Sequence, residues 1–126
     1  RFVAGFLGAV NLFDGRIAGN ENGAVIVDTD AGRFSVIHPP LAAYTAVAVA
    51  VRPEKLRFSE VPTAVNPLAG TMRGIAYRGE ASTAEVELAT GRLLRVTVAN
   101  AGGMLPGPVA TVYLSFVPEA ARILES

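Results

Sequence analysis

The chain has 126 residues, of which 51% are hydrophobic and 17% are charged, so it suits one folded domain rather than a disordered segment. Its 11 basic residues equal its 11 acidic ones, so it lacks the positive charge of a nucleic-acid binder, and we expect no nucleic-acid partner. It has no cysteine and no apolar run of membrane-span length, which excludes a disulfide framework, a thiolate metal site and direct membrane insertion.

The first residues predict a short helix. Phe2 and Phe6 have helical spacing, as do Val3 and Leu7, and Gly8 can supply the positive φ of a helix C-cap. The chain also begins without a methionine, and we expect it to be the C-terminal piece of a longer protein.

Beyond this helix the apolar period changes from 3.6 to 2, which predicts β-strands. Turn signals such as Asn22-Gly23, Gly32 and Gly91 separate the runs. The predicted strands are Phe13–Ala18, Ala24–Asp28, Arg33–Ile37, Ala46–Val51, Leu68–Tyr77, Ala84–Leu88, Arg92–Val98 and Val112–Phe116. Many short strands with almost no other helix predict an all-β fold of one or two small barrels.

Two sequence motifs occur twice, which indicates an internal repeat. Asn-x-apolar-x-Gly opens a strand at Asn11–Gly15 and again at Asn66–Gly70, and an alternating run ends in Pro-Glu at Pro53 and again at Pro118. The first motif recurs after 55 positions (11 to 66) and the second after 65 (53 to 118). We therefore predict a single module of residues 1–126 containing repeat one, about 11–60, and repeat two, about 66–125. A lone repeat buries little surface, so we expect both to share one core, with Val49 and Leu114 pointing inward.

The sequence contains no recognisable set of catalytic residues. No G-x-x-x-x-G-K-[ST] loop is present to hold nucleotide phosphates, and we expect the chain neither to hydrolyse ATP nor to hold a cofactor or metal. His38 is the only histidine, and it stands before Pro39-Pro40 without an evident partner. We interpret it as a strand-end residue. No catalytic residue can be named.

A small-ligand sensor is an alternative from another functional class. A polyamine sensor needs clustered carboxylates, and Glu80, Glu85 and Glu87 are the closest acidic group in the sequence. Glu85 and Glu87 share a strand face by alternation, but an exposed face carries such charges by default.

The densest charged cluster is the Arg52-Pro53-Glu54-Lys55 corner. In one interpretation proline ends the strand and the charges are simply solvated. In the other the corner is a recognition surface, because repeat two has Val117 and Ala120 in place of Arg52 and Lys55. If the repeated glutamate has a common role, we expect that role to be structural, such as accepting backbone N–H bonds at the turn. Our candidate interface comprises Arg52, Glu54, Lys55, Arg57 and Phe58.

Several motifs in order resemble one family across nearly the whole chain. They are F-V-A-x-F-L-G-x-V-N-L-F-x-G (residues 2–15), V-A-V-R-P-E-K-L (49–56), A-Y-x-G (76–79), V-x-L-x-T-G-x-x-L (86–94) and V-x-N (98–100). The chain resembles the C-terminal transport-associated OB (TOBE) domain of ABC importer ATPases, and is most similar to the spermidine/putrescine type.

This resemblance implies OB-like barrels in a non-catalytic regulatory domain that helps to hold an ATPase homodimer together. It also implies an upstream ATPase domain that binds ATP and Mg²⁺, membrane permease subunits as partners, and a cytoplasmic location at the inner face of the bacterial membrane. Asn66-Pro67-Leu68-x-Gly70 resembles oxyanion-binding relatives too. The preceding Thr63-Ala64-Val65 lacks their usual Ser and Arg, so oxyanion sensing stays an alternative.

Overall fold

The computed structural model describes residues 10–78, 81–99 and 111–125, and these residues form an all-β structure. The prediction of an all-β fold is confirmed. The predicted N-terminal helix lies outside the described residues. The described strands are β1 (Asn11–Glu21), β2 (Ala24–Thr29), β3 (Gly32–Ile37), β4 (Ala46–Val51), β5 (Arg57–Ser59), β6 (Leu68–Arg78), β7 (Ala81–Leu88), β8 (Leu93–Ala99), β9 (Thr111–Ser115) and β10 (Ala121–Glu125), with 3₁₀ turns at Pro53–Lys55 and Pro118–Ala120.

The strands form two five-stranded antiparallel sheets that exchange their last strands. The first sheet has the order β10-β4-β1-β2-β3, and the second has the order β5-β9-β6-β7-β8. Strand β5, from the first half of the chain, therefore pairs with β9 of the second half, and β10, from the second half, pairs with β4 of the first half. Each half needs a strand from the other to complete its sheet.

The same local features occur in both halves at matching positions. Phe13 pairs with Val49 across β1 and β4, and Leu68 pairs with Leu114 across β6 and β9. The pairing register shifts after Ile17 in β1 and after Met72 in β6, which is 55 positions later (17 to 72). A bulge bends and twists a strand, so both long strands bend at the same place.

A glycine near the start of each long strand permits close approach of the next strand. A Cβ added to Gly15 would lie less than 3.0 Å from the carbonyl oxygen of Asp28, and one added to Gly70 would lie 2.6 Å from that of Glu87. Neither distance is sterically possible without backbone movement. The Asn-x-x-x-Gly motif therefore has a packing reason for its glycine.

The predicted turn at Asn22-Gly23 connects β1 to β2. Both residues have positive φ, 48° for Asn22 and 84° for Gly23. Two left-handed residues are what a type I′ hairpin requires, and Asn-Gly is the preferred pair for it. Local sequence therefore fixes the register of this hairpin.

One apolar cluster contains side chains from both sheets. Val49 and Leu114 are each 0% exposed, which confirms that both point inward. The Phe34 ring packs edge-to-face on Phe13 at 5.2 Å and on Phe116, from the second half, at 5.1 Å. Such aromatic contacts add to the stabilisation from burial and join the two halves.

Candidate functional site

The two repeated asparagines form matching contacts between the halves. The Asn11 side chain accepts a hydrogen bond from the Arg95 backbone N–H and donates one to the Arg95 carbonyl, both at 2.9 Å. The Asn66 side chain accepts from the Ser35 N–H at 2.7 Å and donates to the carbonyls of Ser35 and Phe116 at 3.0 Å. Each amide thus binds the third strand of the other half.

Both amides are buried, and both are engaged in hydrogen bonds between the halves. Asn11 is 7% exposed and Asn66 is 3% exposed, and no buried side-chain nitrogen or oxygen among the described residues lacks a partner. Ser35 lies on β3 and Arg95 on β8, which are sheet edges. Capping the polar groups of an edge strand prevents that edge from pairing with another chain.

The Pro-Glu turns repeat the same exchange between halves. The Pro53–Lys55 turn packs against β8, and the Pro118–Ala120 turn packs against β3. The expectation that the glutamates accept backbone N–H bonds is wrong. Glu54 accepts only from Arg52, at 3.5 Å, and Glu119 is exposed with no hydrogen bond in the described part of the chain. The turns are closed by backbone bonds instead, from Lys55 to Arg52 and from Ala120 to Val117.

The candidate interface residues lie together at this corner but differ in solvent exposure and in hydrogen bonding. Arg52, Glu54 and Lys55 are exposed. The Arg57 guanidinium donates to the Glu54 carbonyl at 2.6 Å and to the Leu56 carbonyl at 3.3 Å, so it also supports the turn. Phe58 is half-buried and packs against the core. Their role as an interface stays a prediction.

Basic side chains line a groove of about 850 Å³ beside this corner. We call it the basic groove; its charged side chains are Arg52, Lys55, Arg122 and Glu119, and His38 also lines it. Lys55 and Arg122 have no carboxylate within ion-pair distance among the described residues. Unpaired cations around a concave surface attract anions. Sequence reasoning missed Arg122, although it occupies the position of Arg57 in the second repeat, 65 residues later (57 to 122).

The remaining candidate polar residues do not converge on a centre. His38 directly follows β3, and its Nδ1 lies 2.7 Å from the Pro39 carbonyl oxygen, which assigns the proton to Nδ1. Glu87 pairs with Arg73 at 2.5 Å, while Glu85 is exposed and Glu80 lies outside the described residues. The ranges 10–78, 81–99 and 111–125 contain no group of three His, Asp or Glu side chains that could hold a metal ion.

Asp28 and Arg33 form an exposed ion pair that shifts the pKa of both side chains. The Arg33 guanidinium donates to both carboxylate oxygens of Asp28 across the β2–β3 hairpin, at 2.7 and 3.1 Å. This hydrogen bonding lowers the pKa of Asp28 and raises that of Arg33.

No helix in the described part of the chain is long and apolar enough to cross a membrane.

Comparison with known proteins identifies similar sequences. Residues 49–124 match the TOBE domain family. The chain is 31% identical over 123 residues to the spermidine/putrescine import ATP-binding protein PotA of Trichodesmium erythraeum, covering 90% of this chain and 32% of PotA. It is 30% identical over 110 residues to the putrescine transport ATP-binding protein PotG of Escherichia coli, covering 80% of this chain and 28% of PotG. The chain thus spans about a third of these curated relatives.

A solved structure supports the predicted barrel architecture. The cytoplasmic molybdate-binding protein ModG, crystallised with molybdate bound, superposes with a TM-score of 0.77. The match covers 92% of this chain and 96% of the ModG chain at 17% sequence identity. At that identity the likeness concerns the fold, which is OB-like as predicted.

Proposed function

The chain belongs to the TOBE domain family, and from this premise we propose that it is the C-terminal regulatory and dimerisation domain of an ABC importer's ATP-binding subunit. We propose polyamines, spermidine and putrescine, as the transported solutes. The observation that carries this proposal is the alignment of 90% of the chain with a third of PotA. A TOBE domain is a non-catalytic part of such a subunit.

The proposal divides the work between this chain and the rest of the subunit. An ATPase domain elsewhere in the protein would bind ATP and Mg²⁺, since this chain has no G-x-x-x-x-G-K-[ST] sequence. That domain would drive membrane permease subunits from the cytoplasmic side. This chain would contribute contacts that keep two subunits associated.

Assembly fits the surface of the described residues. Homodimers usually close by two-fold symmetry, so a patch must complement itself, and mixed charges satisfy this better than charges of one sign. The corner formed by Arg52, Glu54 and Lys55 has mixed charge and lies next to Arg57 and Phe58. Full-length subunits would add effective concentration through their other domains, so a weak contact would suffice.

Anion sensing is the second candidate function, and the basic groove is the observation that favours it. Lys55 and Arg122 are unpaired there, and ModG, which shares the fold, binds molybdate. Among the described residues that line the groove, however, no polar side chain is buried. Binding sites that select one anion usually present several converging buried donors.

Calorimetry separates the two functions. Dilution of the concentrated chain should absorb or release heat with the concentration dependence of a dissociating dimer, whereas titration with putrescine, spermidine, molybdate or sulfate should give no saturable heat. Saturable heat with either anion that disappears in Lys55→Ala/Arg122→Ala, but persists in the Arg33→Ala control, would establish sensing. Dilution heat that shows no dissociation would count against assembly.

A further inference from the structure

Tyr44 is an exposed aromatic residue in a strained backbone conformation. Its φ is +69°, and the residue is 78% exposed. Among the described residues, the other non-glycine residues with positive φ are Asn22 and Asn66. Asparagine tolerates the left-handed region, whereas a bulky residue such as tyrosine adopts it at a cost. Because the ring is exposed, its burial does not offset this conformational cost.

The surrounding structure holds this conformation in place. The Tyr44 N–H donates to the Ile17 carbonyl at 2.8 Å, and the Ile17 N–H donates to the Thr45 carbonyl at 3.0 Å. Arg16 Nη1 donates to the Tyr44 carbonyl at 3.1 Å. Asn20 fixes the start of the segment through two 3.0 Å bonds with Leu41. Strain that is held by so many contacts points to a function for the residue that bears it.

We propose that Tyr44 is the anchor of a symmetric contact with a second copy of this chain. Tyrosine is among the residues that dominate interface energetics, since it supplies a large, rigid ring at a small entropic cost. The backbone that carries the ring is held in advance by these bonds, so it loses little further freedom on binding. Ala42 and Ala43 beside it are exposed and small, which leaves room for an opposing surface.

The charges beside Tyr44 favour a second copy as the partner. Asp14 and Arg16 lie two residues apart on the outer face of β1, and both are exposed. Neither forms an ion pair within the part of the chain that the structure describes. A two-fold axis between two copies would let each Arg16 face the other copy's Asp14. The patch is thus neutral and self-complementary.

This inference rests on the proposed assembly function but assigns a surface other than the Arg52 corner. Sedimentation equilibrium measures it through the dimer dissociation constant. Tyr44→Asn keeps a residue that tolerates positive φ and removes the ring. We expect it to raise the constant by about 30-fold or more, as for an interface hot spot, while the melting temperature stays equal or rises. The control Leu93→Asn, at an exposed apolar site on β8, should leave the constant unchanged.

Charge reversal tests the partner directly. Asp14→Arg and Arg16→Asp chains should each dimerise at least about tenfold more weakly alone, since like charges then meet. A mixture of the two variants should form heterodimers at least about tenfold more tightly than either variant self-associates, because opposite charges meet again, but more weakly than the unmodified chain, because the Arg16→Asp chain lacks the bond to the Tyr44 carbonyl. A defect confined to one chain's own fold could not be repaired by mixing.

Three results would overturn this assignment. A dissociation constant unaffected by Tyr44→Asn, or variants that fail to associate when mixed, would remove this surface and leave assembly through another one standing. A chain that stays monomeric at millimolar concentration would contradict both the surface and the assembly function.

Discussion

Asn11 and Asn66 form equivalent hydrogen bonds between the two halves of the chain. Asn11 belongs to the first half and binds the second, whereas Asn66 belongs to the second half and binds the first. Asn11 bridges the backbone N–H and C=O of Arg95, and Asn66 bridges those of Ser35. Together with the Pro-Glu turns and the exchanged strands β5 and β10, these amides connect each half to the edge of the other. The two motifs that repeat in the sequence are therefore the parts that join the halves.

Asn66→Ala should destabilise the chain by about 3 kcal/mol, since it leaves backbone groups of Ser35 and Phe116 unpaired and puts alanine at a φ of +46°. Asn11→Ala removes two bonds without positive φ and should cost about 2 kcal/mol. Urea unfolding measures both. Asn20→Ala is the matched control, because its two amide bonds to Leu41 are exposed to solvent, and it should cost less than about 1 kcal/mol. Equal costs for all three variants would contradict a special role for the buried amides.

Gly15→Ala and Gly70→Ala should each cost about 2 kcal/mol, since the added methyl group meets a backbone carbonyl of the neighbouring strand. Thermal unfolding measures the loss. Gly74→Ala is the control, because nothing lies within 4 Å of its Cβ position, and the change should stay within about 0.5 kcal/mol. If Gly70→Ala and Gly74→Ala behave alike, the close approach of β6 and β7 is absent.

Val49→Asp should cost roughly 4 kcal/mol or more, because it places an unpaired charge at a fully buried position of β4. Ala46→Asp lies on the same strand at an exposed position and should change stability little. Chemical denaturation of both variants checks this expectation. A Val49→Asp variant as stable as the parent would mean that β4 is shifted by one residue.

The Asp28–Arg33 pair predicts a small loss of stability in acid. Arg33 holds the pKa of Asp28 below its ordinary value of 3.8, so the contribution is present above that value and is lost as pH falls through the folded-state pKa. The melting temperature of Asp28→Asn should lie slightly below that of the parent at neutral pH and converge with it in strong acid. Both side chains are exposed, so high salt should shrink the difference. A difference that grows in acid would contradict the sign.

The sequence predicted the strands well because alternation and turn residues are local signals. Val47, Val49 and Val51 alternate with alanines, and Asn22-Gly23 specifies its hairpin without reference to the rest of the chain. The motifs at Asn11 and Pro53 were visible as repeats. What they contact was not visible, because their partners on β8 lie 40 or more positions away.

Strand exchange and the Tyr44 conformation were beyond sequence reasoning for a related physical reason. Whether β10 pairs within its own half or with β4 depends on packing of the whole core, and both choices have the same alternation. Positive φ at Tyr44 contradicts the residue's intrinsic preference and arises from bonds to Ile17 and Arg16. The surface charges of the Arg52 corner could be located from sequence, but their use stays a prediction.

Sedimentation equilibrium of the unmodified chain, from micromolar to millimolar concentration, tests the assembly function most directly. We predict a single reversible monomer–dimer equilibrium whose dimer fraction rises with concentration and is unaffected by putrescine or molybdate. A chain that remains strictly monomeric at millimolar concentration would contradict the account.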